Sequence, residues 1–176
     1  LASRAAVEIG DATVGERHPD SAKYRLNLAT ALRELGRYDE AERLHRKAAD
    51  VGRATLGERH PDYALYIIQL ASLLRGTDRL AEAERLVREA VEIVRITLGE
   101  RHPTYAAYLG HLGDQLDAMG RRDKAEPLFR EAIEITAETL GPTHPDHASA
   151  LGDLAGLLGA LGREAEAEAL YREALA

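Results

Sequence analysis

LNLATALRELGRYDEAERLHRKA occupies residues 26–48, and three further copies of its pattern follow. They are IQLASLLRGTDRLAEAERLVREA at 68–90, GHLGDQLDAMGRRDKAEPLFREA at 110–132 and GDLAGLLGALGREAEAEALYREA at 152–174. The offset is 42 residues each time. A fixed period of this size marks a repeat architecture, whose units bury their apolar faces on their neighbours.

Each copy reads as two amphipathic helices. In the first, helix A, small and apolar residues stand three, four and seven apart, which places them on one helical face. They are Ala22, Leu28, Ala29 and Leu32, then Ala64, Leu70, Ala71 and Leu74, then Ala106, Leu112, Gly113 and Leu116, then Ala148, Leu154, Ala155 and Leu158. Gly36, Gly120 and Gly162 end helix A, where a left-handed residue is cheapest as glycine. The second copy carries Asp78 at that point and Gly76 two residues earlier, so an altered turn is expected there. Helix B opens near Asp39, Ala81, Asp123 and Ala165. Small residues flank one bulky residue in it: Ala41/His45/Ala48, Ala83/Val87/Ala90, Ala125/Phe129/Ala132 and Ala167/Tyr171/Ala174. Its other face repeats an i,i+4 pair, Glu42–Arg46, Glu84–Arg88, Glu126–Arg130 and Glu168–Arg172, in the favourable order and worth only ~0.2–0.5 kcal/mol each. These pairs read as a solvated outer face. Pro127 falls early in the third helix B, and the helix is expected to persist through it.

Between copies lies GERHPD at 15–20 and 57–62, GERHPT at 99–104 and GPTHPD at 141–146. Gly15, Gly57, Gly99 and Gly141 stop one helix as C′ glycines do, and Pro19, Pro61, Pro103 and Pro145 open the next at its first turn. His18, His60, His102 and His144 fall at the N-cap, where a ring nitrogen can accept from an orphan amide. Four histidines a whole repeat apart are punctuation and not a shared metal site.

Net charge is −7, with 23 basic against 30 acidic residues, which argues against a nucleic-acid or anionic-membrane surface. No apolar run approaches a membrane span. The chain has no cysteine, which excludes disulfides and thiolate metal sites and permits a reducing setting; a cytoplasmic location is expected. The sequence opens on LASRAAVEIGDATVG as if inside a helix and stops at LYREALA in mid-pattern, so a fragment of a longer protein is expected. Arginine outnumbers lysine 20 to 3, in keeping with a GC-rich, bacterial origin.

Leu-Ala, then Leu, then Gly, then Ala-x-x-x-aromatic-x-x-Ala resembles the tetratricopeptide repeat, whose usual unit is about 34 residues. The longer helix B ending in Leu-Gly-x-x-His-Pro is similar to the kinesin light chain type. The resemblance implies an all-α fold, a right-handed α-solenoid of helix-turn-helix repeats. It implies a single array over 1–176: a partial helix B at 1–15, then repeats at 16–57, 58–99, 100–141 and 142–176. Nine helices follow from that layout, with helix pairs at 19–56, 61–98, 103–140 and 145–175 and the partial helix at 1–14. Helix A would line a concave groove. The implied role is a scaffold binding a protein or peptide segment, within a larger bacterial protein that carries a nucleotide-binding switch domain (STAND or NB-ARC type). Self-association or intramolecular regulatory docking is the alternative.

The resemblance places one row of each helix A in the groove: Asn27, Gln69, His111 and Asp153. Amide side chains suit a peptide backbone because they both donate and accept. One or two turns away stand Lys23, Thr30, Arg33, Ser72, Arg75, Asp114 and Asp117. Families that grip a C-terminal carboxylate spread Lys, Asn and Arg over three repeats. Only Lys23 and Asn27 fit here, because Ala107 and His111 stand where a third repeat should supply Lys and Arg. Likewise the paired Asn typical of kinesin light chains is reduced to Leu26-Asn27. Tyr24, Tyr66 and Tyr108 form a second row, broken by Ala150, expected to pack between repeats with hydroxyls at the rim. Phosphate-cradling glycine loops, H-E-x-x-H and G-x-S-x-G are absent from the sequence. No catalytic residue, metal or cofactor is therefore expected, and no nucleic-acid or membrane partner.

Overall fold

A computed structural model of the chain describes residues 18–175. Among them are eight α-helices: α1 (Pro19–Glu34), α2 (Tyr38–Leu56), α3 (Pro61–Gly76), α4 (Leu80–Leu98), α5 (Pro103–Ala118), α6 (Arg122–Leu140), α7 (Pro145–Ala160) and α8 (Glu164–Ala174). No strand occurs among the described residues. The four helix pairs fall where the 42-residue period puts them, and the helix expected at 1–14 lies outside the described residues. The chain divides into two compact units, Leu1–Ile93 and Val94–Ala176, with the boundary inside α4.

In the first unit α1 packs on α2, α2 on α3, and α1 on α3. In the second α5 packs on α6, α6 on α7, α7 on α8, and α5 on α7. The small residues of both patterns form the seam: Ala22, Ala29, Ala41 and Ala48 are buried in the first pair, and Ala106, Ala125 and Ala132 in the third. The bulky position of helix B varies in size, and its neighbour on helix A compensates. Opposite Phe129 stands Gly113, where a Cβ would meet the ring at 2.6 Å. Gly52 of α2 does the same for Tyr66 of α3, with the ring carbon 2.5 Å from a built Cβ.

Every helix A begins identically. The Nδ1 of His18, His60, His102 and His144 accepts from the amide of Asp20, Asp62, Thr104 and Asp146, at 3.2, 3.0, 3.1 and 3.1 Å. The proline that follows loses no intrahelical bond at the first position. The histidines are thus N-caps, and each ring nitrogen that faces the chain is occupied by a backbone amide.

The expected alteration at Asp78 is absent. Asp78 takes φ +62°, beside +73°, +72° and +75° at Gly36, Gly120 and Gly162. The bonds around it also match: the Arg79 amide donates to the Leu74 carbonyl as the Arg37 amide does to Leu32, both at 2.9 Å. Aspartate tolerates the left-handed region well enough to leave the turn unchanged. The linker glycines differ from the simple left-handed stop. Gly57 has φ 91°, ψ 160° and Gly141 has φ 88°, ψ 161°, a region open essentially to glycine alone.

Pro127 sits in the second turn of α6, since the Ala125 amide already donates to the Arg121 carbonyl. The helix continues past it, and the proline is exposed. One ladder bond is forfeited on the solvent side, where water replaces it.

The i,i+4 pairs form, with Arg46 donating to Glu42 at 2.9 Å and Arg130 to Glu126 at 2.6 Å. They are more than a solvated face. Arg79, just before α4, donates to Glu42 at 2.6 Å, and Arg46 donates to Glu82 at 2.7 Å. Arg163, just before α8, reaches Glu126 at 2.8 Å. In both cases the arginine just before one helix B clasps the glutamate of the preceding helix B. These contacts hold the Glu126 carboxyl below the usual range, through Arg130 first and then Arg163.

Candidate functional site

The second unit contains a cleft of about 340 Å³ between α5 and α7, with α6 as its floor. The α5 wall is Pro103, Ala106, Ala107, Gly110, His111 and Asp114. Asp146, Ser149, Ala150 and Asp153 form the α7 wall, and Phe129, Ala132 and Thr136 rise from α6. Sequence spacing explains the walls: residues 107, 110, 111 and 114 lie one turn apart on α5, as do 146, 149, 150 and 153 on α7.

Three of the eleven residues read from the sequence in or beside the groove meet here, namely His111, Asp114 and Asp153. The His111 ring lies tilted on Tyr108, centroids 6.1 Å apart. Seven of the others belong to the first unit. Lys23 and Asn27 are exposed on α1 with Thr30 and Arg33 half-buried; Gln69, Ser72 and Arg75 are half-buried on α3. Lys23 pairs with Asp20 across 3.9 Å. Asp117 lies outside the cleft lining and holds Arg122 at 2.7 Å.

The tyrosine row explains why the cleft is open. In the first unit Tyr66 is 1% exposed, its ring laid against Gly52. Eighty-four residues on, the equivalents of Gly52 and Tyr66 in the second unit are Thr136 and Ala150. A methyl replaces the ring, and space remains over Thr136. The break at Ala150 was therefore a signal for the cleft, although polarity alone drew attention to the neighbouring row. The rim placement expected for the hydroxyls fails at Tyr66, whose OH is buried without a hydrogen-bond partner. Tyr24 departs the other way, at 41% exposed.

The floor is held rigidly. The Thr136 hydroxyl donates to the Ala132 carbonyl at 2.9 Å, and a hydroxyl so engaged accepts from Nδ1–H of buried His147 at 3.0 Å. His147 thus braces α7 on α6. The cleft combines an apolar floor with carboxylates and one imidazole on its walls.

The tetratricopeptide repeat family model matches residues 3–54, 20–95, 64–136 and 106–176. Among solved structures, a point-mutant form of a kinesin light chain-like protein of Podosopora anserina, with nearly identical TPR-like repeats, is 27% identical. The match covers 98% of this chain and 81% of that one, with a TM-score of 0.79. A second structure of that Podosopora anserina protein gives 27% identity over 98% and 82% of the two chains, with a TM-score of 0.77. BtubC (BKLC) from P. vanneervenii shares the fold at 23% identity and a TM-score of 0.76, over 89% of this chain and 63% of that one. No curated protein matches the sequence.

Proposed function

From the premise that this chain belongs to the tetratricopeptide repeat family, we propose that it holds a peptide or protein segment against its helix A faces, with the α5–α7 cleft as a principal seat. The family supplies the coarser half: tetratricopeptide repeats are non-catalytic interaction modules that bind proteins or peptides. Among the described residues no helix is long and apolar enough to cross a membrane. The observation that carries the finer half is the Ala150 break, which leaves an open, polar-walled cleft where Gly52 and Tyr66 close the first unit. Asn27 and Gln69 extend the same role to the first unit, as amide side chains reaching solvent on α1 and α3. Within its parent the module is the recognition part of a larger bacterial protein with a nucleotide-binding switch domain, a role supported by the kinesin light chain-like repeat type.

Filling the cleft tests this function. The double change Ala150→Tyr with Thr136→Gly recreates the Gly52–Tyr66 pair, and Ser149→Trp obstructs the mouth from the α7 wall. Peptides selected from a random displayed library against the native chain should lose binding to both variants while circular dichroism stays helical. Selected peptides that bind native and filled chains equally would remove the cleft as their seat.

A further inference from the structure

We propose that the α5–α7 cleft selects a basic peptide, one presenting two Lys or Arg side chains about three residues apart with small residues between them. This rests on the cleft being a binding site and adds the chemistry of its occupant.

The charge of the cleft has one sign. Asp114, Asp146 and Asp153 line it, with His111 and without any Lys or Arg. The surrounding chain reinforces this. Residues 103–176 hold 6 Lys or Arg and 13 Asp or Glu, whereas residues 1–102 hold 17 of each. The whole net charge of −7 therefore resides in the stretch that builds the cleft. Such a field attracts a cationic segment and repels both phosphate backbones and acidic peptides.

Spacing fixes the motif. Asp146 and Asp153 are two turns apart on one stripe of α7, about 10 Å along the axis at 1.5 Å per residue. An extended or polyproline-type segment rises roughly 3.1–3.4 Å per residue, so about three residues span that distance. In the polyproline form residues three apart also share a face. Between the two carboxylates Ala150 and Phe129 offer an apolar surface on which small side chains can lie.

The test uses three synthetic fluorescent peptides of one length and one alanine-rich backbone, read by anisotropy against the 176-residue chain. They carry two arginines three apart, two glutamines at those places, or two glutamates. The arginine peptide should bind best and the glutamate peptide worst. Asp146→Asn and Asp153→Asn should each weaken the arginine peptide about two- to five-fold, the size of a partly exposed ion pair, and leave the glutamine peptide unchanged. Ionic strength near 1 M, where screening acts within about 3 Å, should erase the ranking. Equal affinity for all three peptides, abolished by the cleft-filling double variant, overturns the charge selectivity and leaves the cleft as a site. Arginine-peptide binding indifferent to both Asn variants also overturns the inference. Absence of binding by every peptide overturns it together with the function on which it rests.

Discussion

Both ring nitrogens of His45 are buried without a hydrogen-bond partner, at the position where the other repeats carry Val87, Phe129 and Tyr171. The residue is 1% exposed. Burial, and then the nearby Arg33 guanidinium, push its pKa down to about 4 from 6.5. Because folding selects the neutral ring, that preference is fully expressed above pH 6.5 and is lost as pH falls toward 4. His45→Leu keeps the volume and removes both orphan nitrogens, so it should raise stability at pH 7 by ~1–3 kcal/mol. It should also flatten the loss between pH 6.5 and 4 in urea titrations. An unchanged acid slope in the variant would show that another group sets it. A second residue-scale contrast lies in the glycines. Gly36→Asn should cost a few tenths of a kcal/mol, because Asp78 already occupies the equivalent left-handed place and Asn tolerates it equally. Gly57→Asn should cost about 1–3 kcal/mol, because φ 91°, ψ 160° is closed to side chains. Neither glycine has a neighbour within 4 Å of a built Cβ, so thermal unfolding of the two variants compares backbone strain alone.

At the scale of helix on helix, stability depends on matched sizes across the A–B seam. Gly113 faces Phe129, Ala71 stands in the same register as Val87, and Ala29 as His45. A methyl at Gly113 would sit 2.6 Å from the Phe129 ring. Gly113→Ala should therefore lose ~1–3 kcal/mol to overpacking, despite a gain of about 1 kcal/mol in helix propensity. Combined with Phe129→Val, which reproduces the Ala71–Val87 pair, the loss should fall below the sum of the two single changes. A double-mutant cycle by chemical denaturation measures that coupling, and strict additivity would sink the size-matching account. Much at this scale was legible in the sequence. The seam, the glycine-ended turns and the histidine caps all follow from residue type at a fixed offset. The clasp of Arg79 on Glu42 and of Arg163 on Glu126 was not, because its offset of 37 joins different positions of successive repeats. The i,i+4 pairs alone gave no reason to look there.

Across the molecule, the same pattern repeated four times does not give four equal layers. The positions of the cleft residues show why legibility stops short: periodicity located His111, Asp114 and Asp153, but an opening depends on what is missing beside them. Ala150 in place of a tyrosine is a change of volume, which a polarity row does not register. Volume also governs how firmly each layer is held. In α3 nine residues are buried, from Tyr63 to Leu74. In α8 only Ala167 is, and Tyr171, at the bulky position of helix B, is 48% exposed. Repeat proteins behave as nearly one-dimensional stacks, whose local stability is the intrinsic stability of a layer plus its contacts with neighbours. Opening free energies in such a stack range from near zero at poorly packed ends up to the global value. Native-state hydrogen exchange on the 176-residue chain should therefore find the amides of α8 least protected and those of α3 exchanging only with the most stable unit. The glycines at 152, 156 and 159 of α7 should lower protection there as well, each by about 1 kcal/mol relative to alanine. Uniform protection from α3 to α8 would mean that the chain opens all at once, and that local burial does not set the stability of its layers.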